Sequence, residues 1–211
     1  RSSDLVLKIY ADKARFDFVQ TLKSFYDQLW VNSVSFELPE IYKISSHGNL
    51  IATVEKRIQG EPLETLWSQL DQQQKQRAEM IYIDSVFQIK EIAIHSSPST
   101  YMLFDHDGRS STKKQSFEEF YAAQLAEQIR TVGRYFSFYS ADFLDQANRL
   151  VTSFRNTTPS ELSLIHGDFY PGNFLVNQLA TQVTGVIDFG SFTMFGNYLL
   201  DIAGEIGRAH V

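Results

Sequence analysis

The fold is decided by the stretch Leu164-Ile-His166-Gly-Asp168-Phe-Tyr-Pro-Gly-Asn173-Phe-Leu-Val176, which is followed by Val183-Thr-Gly-Val-Ile-Asp188-Phe-Gly190. Each run starts with apolar residues typical of β-strands and then delivers an acidic side chain to a turn. The first turn also carries an asparagine five residues after its aspartate. Two carboxylates and a carboxamide that meet at strand ends are suited to holding hard cations against a polyphosphate. The aspartate of the first turn would then be free to take a proton from an attacking hydroxyl.

The spacing of these residues is similar to a kinase pattern. That pattern has His-Arg-Asp, an asparagine five residues after the aspartate, and then Asp-Phe-Gly. In this chain Gly167 replaces the arginine, whereas the spacing from Asp168 to Asn173 and the Asp188-Phe-Gly triplet are kept. The His-Gly-Asp variant resembles the aminoglycoside phosphotransferase and choline kinase-like group, which are small-molecule kinases with a protein-kinase-like fold.

The resemblance implies a fold class and a domain organisation. It is close over residues 164–203 and looser over residues 6–95. We expect an α+β, protein-kinase-like two-lobe fold. Residues 1–58 would form a partial N-terminal nucleotide-binding lobe with strands and one helix, and residues 59–211 would form a mainly helical C-terminal catalytic lobe.

Both ends of the chain resemble translated sequencing adapter, namely Arg-Ser-Ser-Asp-Leu at residues 1–5 and Ile-Gly-Arg-Ala-His-Val at residues 206–211. Such segments are excluded from fold reasoning. We therefore expect a truncated fragment of the family. The family's glycine-rich phosphate loop and its last substrate-capping helices would be missing.

The resemblance also implies roles for five residues of the two turns and the segment after them. Asp168 would be the catalytic base that accepts the proton of the substrate hydroxyl. Asn173 and Asp188 would hold one or two Mg²⁺ ions that bridge the phosphates of ATP. His166 and Asp201 would support the active-site loop as structural residues and would not react themselves.

One lysine is the candidate for the phosphates of ATP. Lys8 lies in a predicted strand at residues 5–10, in a position similar to that of the kinase lysine that pairs with them. Apolar residues at helical spacing predict a helix over residues 13–30. The family's helix supplies a glutamate to this lysine, but no glutamate occurs here. Asp17 is the best-placed acid, Gln20 is a weaker candidate, and a solvated Asp17 is an equally good interpretation.

Residues 38–45 and 50–58 flank a turn containing Gly48 and predict a β-hairpin. The segment 57–63 at its end resembles the family's hinge, where extended backbone meets the adenine edge. Lys56 and Ile58 would therefore contribute backbone groups to ATP binding.

Four further helices are predicted, at residues 71–94, 117–136, 141–154 and 197–205. Asp71 is the predicted N-cap of the first of these, with Met80, Ile83 and either Val86 or Phe87 facing inward. Five acidic residues on the middle two helices face either the substrate cleft or solvent, and solvent is favoured: Glu118, Glu119, Glu127, Asp142 and Asp145.

Two polar sites are more simply explained by packing or solvation than by catalysis or metal binding. His95, at the end of the first long helix, is more simply a packed or capping histidine. Asp105, His106 and Asp107 could be imagined as metal ligands, but ligands so crowded on a polar loop are usually solvated.

Composition excludes several classes of protein. The 211 residues include 19 Lys and Arg against 25 Asp and Glu, which gives a net charge of −6. A net negative charge argues against a nucleic-acid partner and is compatible with a cationic substrate. There is no cysteine, which excludes disulfide scaffolds and thiolate chemistry. No apolar run approaches the length of a membrane span, and we expect a cytoplasmic protein.

Together these features predict an enzyme that transfers the γ-phosphate of ATP to a hydroxyl of a small molecule. An aminoglycoside-type antibiotic is one candidate substrate. The alternative is a kinase-like module that binds nucleotide with weak or no transfer activity, because the helix glutamate is missing. A protein kinase is disfavoured, because Gly167 leaves no arginine to read an activation-loop phosphate. The choice between ATP and GTP, the acceptor hydroxyl and the oligomeric state stay open.

Overall fold

The computed structural model describes residues 4–10, 16–30, 33–48, 50–94, 101–104, 116–136, 138, 142–158 and 161–208. Its N-terminal part is a three-stranded antiparallel sheet in the order β1-β3-β2. The strands are β1 Leu5–Tyr10, β2 Ile41–His47 and β3 Leu50–Lys56. β2 and β3 form the predicted hairpin.

The register of β1 against β3 decides which side chains share a face. Lys8 lies directly opposite Thr53, and Val6 lies opposite Glu55. Opposite residues of an antiparallel pair project from the same side of the sheet, as do residues two apart on one strand. Lys8, Thr53 and Glu55 therefore lie on one face.

Helix α1, Phe16–Leu29, carries the predicted amphipathic stripe. Its buried residues recur every three or four positions and are Val19, Leu22, Phe25, Tyr26 and Leu29. This spacing places them on one side of the helix, where they join the main hydrophobic core. The predicted helix is confirmed over the described residues, and so is its inward face apart from Phe16, which the same spacing includes but which is 41% exposed.

The second part of the chain combines helices with short strands. Two small sheets have the orders β4-β6-β7 and β5-β8. The strands are β4 Glu61–Pro62, β5 Ser163–Ile165, β6 Phe174–Val176, β7 Val183–Val186 and β8 Met194–Gly196. The helices are α2 Leu63–Leu66, α3 Gln72–Lys90, α4 Phe117–Phe136, α5 Phe143–Arg155 and α6 Leu199–Arg208.

Helix α3 begins as predicted, but of the residues predicted to face inward only Val86 is buried. Asp71 caps it, and the Asp71 side chain and Gln74 form a reciprocal capping box. The predicted inward residues Met80 and Ile83 are 66% and 40% exposed. The buried face instead contains Ala78, Tyr82, Ser85, Val86 and Ile89, and the helix ends at Lys90.

A second correction concerns α4. Glu118 was expected to face solvent, but it is 3% exposed. It lies in the first turn of the helix, between the buried rings of Phe117 and Phe120. The predicted packed or capping role of His95 and the disfavoured metal site at Asp105, His106 and Asp107 fall outside the described residues.

One hydrophobic core joins the two parts. Rings from α1, α3 and the two motif turns meet in it, and they include Phe25, Tyr82, Phe169, Phe174 and Phe189. Within the described ranges, no helix combines the length and apolarity needed to span a membrane.

Candidate active site

The first motif turn follows β5 and is held by a buried carboxylate from α6. Asp201 is 3% exposed, and its Oδ2 and Oδ1 accept the backbone N–H groups of His166 and Gly167, each at 2.8 Å. Burial raises the pKa of Asp201 to about 6, although these two backbone hydrogen bonds act to lower it. The carboxylate thereby fixes the backbone directly before Asp168.

Gly167 is required by geometry at this position. Its φ is +81°, in the left-handed region that side chains disfavour. A Cβ added here would lie 2.0 Å from the carbonyl oxygen of Phe192. Thr193 stabilises this close approach of the two segments, because its hydroxyl donates to the carbonyl of His166 at 3.0 Å. The turn has no room for the arginine of the protein-kinase pattern.

The His166 ring lies beneath the loop and both of its nitrogens are engaged. Its Nδ1 accepts the backbone N–H of Asp168 at 3.3 Å, so its Nε2 carries the proton and donates to the carbonyl of Ile187 at 2.9 Å. The ring packs on Phe189, with centroids 4.3 Å apart. Burial lowers the pKa of His166 to about 4, so the ring is neutral at pH 7. A neutral ring with both nitrogens in hydrogen bonds is better suited to holding the loop in place than to acting as the catalytic base.

Asn173 is tied to Asp168. The amide nitrogen of Asn173 donates to the backbone carbonyl of Asp168 at 3.0 Å and to its Oδ2 at 3.4 Å. The backbone N–H of Asn173 donates to the carbonyl of Tyr170, which closes the intervening turn. These bonds place the residues five apart side by side, as the spacing predicts.

Tyr82 of α3 and Pro171 hold the rest of this loop. The Tyr82 hydroxyl donates to the carbonyl of Phe169 at 2.5 Å, and its ring packs on Phe169 and Phe174. The carbonyl of Pro171 accepts the backbone N–H of Glu64 in α2. No sequence pattern predicts this role for Tyr82, because it lies far from the loop in the chain.

The second motif turn follows β7 and places Asp188 opposite Lys8. Asp188 has a φ of +68°, an uncommon conformation for a residue other than glycine. Its Oδ1 lies 2.9 Å from Nζ of Lys8. The next residue, Phe189, is buried, and its carbonyl accepts the hydroxyl of Tyr26 from α1 at 3.1 Å. Helix α1 and strand β1 are thus both connected to this turn.

The pKa of Lys8 reflects the charges around its amine. Burial acts to lower this pKa, but the hydrogen bond and the charge of Asp188 raise it, and Tyr10 and Glu55 add smaller effects. The net shift is upward. Lys8 therefore carries its charge in a cleft with acidic walls.

Lys8 and Asp188 line two adjoining cavities. One, of about 230 Å³, also contains His166 and Asp168 in its wall. The other, of about 330 Å³, is also lined by Glu55, Lys56 and Ile58. The predicted base and the predicted hinge therefore line two different cavities, and the Lys8–Asp188 pair lines both.

The structure agrees with the predicted position of the hinge residues but not with the predicted pairing of Asp17 with Lys8. Lys56 and Ile58 lie at the end of β3 against the larger cavity, while the side chain of Lys56 pairs with Glu37 at 3.3 Å. Asp17 is exposed in the first turn of α1 and is not among the groups that act on the Lys8 amine within the described residues. The suggested pairing of Asp17 with Lys8 is therefore not formed.

The donor set fits a magnesium ion. Asp188 offers a half-exposed carboxylate. The hydrogen bonds of Asn173 to Asp168 use its amide nitrogen, which leaves the carboxamide oxygen for a cation. Oxygen donors of this kind suit Mg²⁺. Across the described ranges, no cluster of three or more His, Asp or Glu side chains forms a metal site.

Comparisons with known proteins identify the family of this chain. The family described as phosphotransferase enzyme family (APH) matches residues 1–204. The chain belongs to this phosphotransferase family. No curated protein matches it significantly in sequence.

Solved structures with the same fold include APH(2″)-IIa in a ternary complex with streptomycin and ATP. The TM-score is 0.58 and the identity 17%, over 95% of this chain and 63% of that one. A gentamicin complex of APH(2″)-IIa gives a TM-score of 0.58 at 18% identity, over 95% and 62% of the two chains. The chain thus spans less than two thirds of the length of APH(2″)-IIa.

A third structure is the aminoglycoside phosphotransferase APH(3″)-Id from Streptomyces rimosus in complex with ADP and streptomycin. Its TM-score is 0.54 at 15% identity, over 98% of this chain and 72% of that one. At such identities the likeness establishes the fold. It confirms the predicted α+β, protein-kinase-like architecture.

Proposed function

We propose that the whole protein transfers the γ-phosphate of ATP to a hydroxyl group of a small molecule. One observation carries this proposal. Lys8 and Asp188 line both the cavity that contains Asp168 and the cavity that contains the hinge residues. A nucleotide in the hinge cavity would place its phosphates at this pair, with the acceptor on the Asp168 side. Phosphoryl transfer depends mainly on such alignment and on charge neutralisation.

Each residue then has a defined task. Asp168 accepts the hydrogen bond of the acceptor hydroxyl and takes its proton. Lys8 binds phosphate oxygens, and the backbone of Lys56 and Ile58 meets the adenine. His166 and Asp201 hold the loop, as their hydrogen bonds with its backbone support.

Asn173 and Asp188 would hold Mg²⁺. The ion, when bound, neutralises charge that develops on the phosphate oxygens. The hydrogen bonds from the amide nitrogen of Asn173 keep its oxygen turned away from Asp168.

An aminoglycoside-type antibiotic is the substrate class that we propose. Three solved structures with this fold contain streptomycin or gentamicin. The net charge of −6 also favours a cationic acceptor. A role in antibiotic resistance would follow. We place the reaction in the cytoplasm, where ATP is available.

The test is a phosphorylation assay with Mg-ATP and a panel of streptomycin, gentamicin, choline and neutral sugars. We expect mass spectrometry to detect one added phosphate on an aminoglycoside. Phosphorylation of choline or a neutral sugar alone would overturn the substrate class. The absence of any phosphorylated product from the panel, with Mg-ATP bound, would favour the second candidate.

That second candidate is a nucleotide-binding module without transfer activity. It is favoured by one observation, that Asp17 of α1 does not pair with Lys8. Phosphate release from Mg-ATP separates the two candidates, because a module without transfer activity binds the nucleotide but does not cleave it.

A further inference from the structure

Lys8 and the proposed metal site compete for one carboxylate. In this structure Asp188 bonds to the amine of Lys8 at 2.9 Å, and the same Asp188 is a proposed magnesium ligand. A carboxylate bound to a dication is a weaker partner for an ammonium group, because its charge is shared. Lys8 would then need another acid to hold it towards the phosphates.

Glu55 on β3 is placed to be that acid. Lys8 faces Thr53 across the sheet, and Glu55 is two residues further along β3 on the same face. Diagonal neighbours on one face have their Cβ atoms roughly 7–8 Å apart, which long side chains span. Lysine and glutamate are both long enough to meet there.

The Glu55 carboxylate is held by a neighbour on the same face. The hydroxyl of Thr53, which is fully buried, donates to Oε1 of Glu55. The charge of Glu55 also acts to raise the pKa values of Lys8, Tyr10 and Tyr26. One bond from Thr53 leaves a carboxylate with acceptor capacity for an ammonium group.

Glu55 also lines the same cavity as Lys8 and Asp188, on the hinge side. No glutamate occurs in α1, and Asp17 is exposed in its first turn. The sheet, and not the helix, therefore brings an acid to the lysine.

We propose that Glu55 is a positioning residue that holds the amine of Lys8 towards the ATP phosphates when Asp188 binds magnesium. This inference rests on the proposed function. Glu55 acts through Lys8 and does not itself touch the reacting atoms.

The test is a double-mutant cycle in Mg-ATP affinity, measured by calorimetry on the full chain. The variants are Lys8→Met, Glu55→Gln and the double variant. We expect Glu55→Gln to weaken Mg-ATP binding by about tenfold, as loss of a charge-assisted contact does. In the Lys8→Met background the same substitution should have no further effect.

Adenosine separates positioning of Lys8 from a general loss of structure. It occupies the hinge side but has no phosphates, so Glu55→Gln should weaken adenosine binding much less than it weakens Mg-ATP binding. Glu79→Gln, which removes an exposed charge on α3, is the matched control and should bind both ligands like the wild type. Glu55→Asp should recover part of the Mg-ATP affinity. In turnover assays, KM for ATP should rise more than kcat falls.

Each of the following outcomes would overturn the inference. Full additivity of the two substitutions, or equal weakening of adenosine and Mg-ATP, would overturn the inference and leave the proposed function standing. Coupling of Lys8 to Asp17→Asn instead would assign the role to the helix acid and overturn it too. Failure of the wild-type chain to bind Mg-ATP would overturn the proposed function and the inference with it.

Discussion

Nζ of Lys8 lies 2.9 Å from Oδ1 of Asp188, although 180 residues separate them in sequence. The contact joins strand β1 of the N-terminal sheet to the turn after β7. Both side chains are about half exposed, at 42% and 56%. Ion pairs this exposed contribute about 0–1 kcal/mol to stability. The pair therefore matters for the position of two charged groups more than for the free energy of folding.

Asp188→Asn should separate metal binding from stability. Asparagine tolerates the left-handed backbone at this position, so we expect the free energy of unfolding to change by about 1 kcal/mol or less. Loss of the anionic ligand should abolish the magnesium dependence of ATP binding. Calorimetric titrations with and without Mg²⁺ measure this. Unchanged Mg-ATP affinity in the variant would remove Asp188 from the metal site.

Gly167→Ala should destabilise the protein much more than Gly48→Ala. Both glycines have positive φ, +81° and +57°, so each alanine incurs about 1–2 kcal/mol of backbone strain. At Gly48 the added Cβ meets nothing within 4 Å, whereas at Gly167 it meets the Phe192 carbonyl oxygen at 2.0 Å. We expect a further loss of about 1–3 kcal/mol for Gly167→Ala from this clash. Urea denaturation of the two variants measures the difference, and equal losses would contradict the close approach.

His166 should give the protein a specific pH dependence. Burial lowers its pKa from 6.5 to about 4. Between these values the unfolded chain binds a proton that the folded protein does not, so this group's contribution to the free energy of unfolding falls as the pH falls. The full change is about 3 kcal/mol. Wild type and His166→Gln should therefore differ in stability by an amount that grows from pH 4 to pH 6.5.

Asp201 acts in the opposite direction, because burial raises its pKa from 3.8 to about 6. Its contribution is present below pH 3.8 and is lost as the pH rises through 6. Since Asp201 is present in both chains, the difference between wild type and His166→Gln isolates the histidine. Denaturation curves at several pH values provide the measurement. A difference that stays constant with pH would show that His166 is not held neutral by burial.

Much of the fold could be predicted because the relevant signals are local. The apolar spacing of α1, the hairpin of β2 and β3 and the cap at Asp71 each depend on neighbours in sequence. The face of α3 could not be predicted in this way. Tyr82 is buried there because Phe169 and Phe174 pack on it, while the more apolar Met80 is exposed.

The candidate site also contains residues that local sequence predicts and residues that it does not. The contact between Asp168 and Asn173 could be predicted because the two residues are five apart in one short turn. Glu55 could not, because its place beside Lys8 depends on the register of β1 against β3. Asp17 is the best-placed acid of a helix without glutamate, but its side chain is exposed in the first turn of α1.

The central claim is that Asp168 is the base of a phosphotransferase, and Asp168→Asn tests it most directly. Turnover of the phosphorylated acceptor and calorimetric Mg-ATP affinity should be measured on the same preparation. We predict that turnover falls about 10²–10⁴-fold, while Mg-ATP affinity is largely kept because the proposed partner of Asp168 is the acceptor hydroxyl and not the nucleotide. Turnover close to that of the wild type would contradict the account.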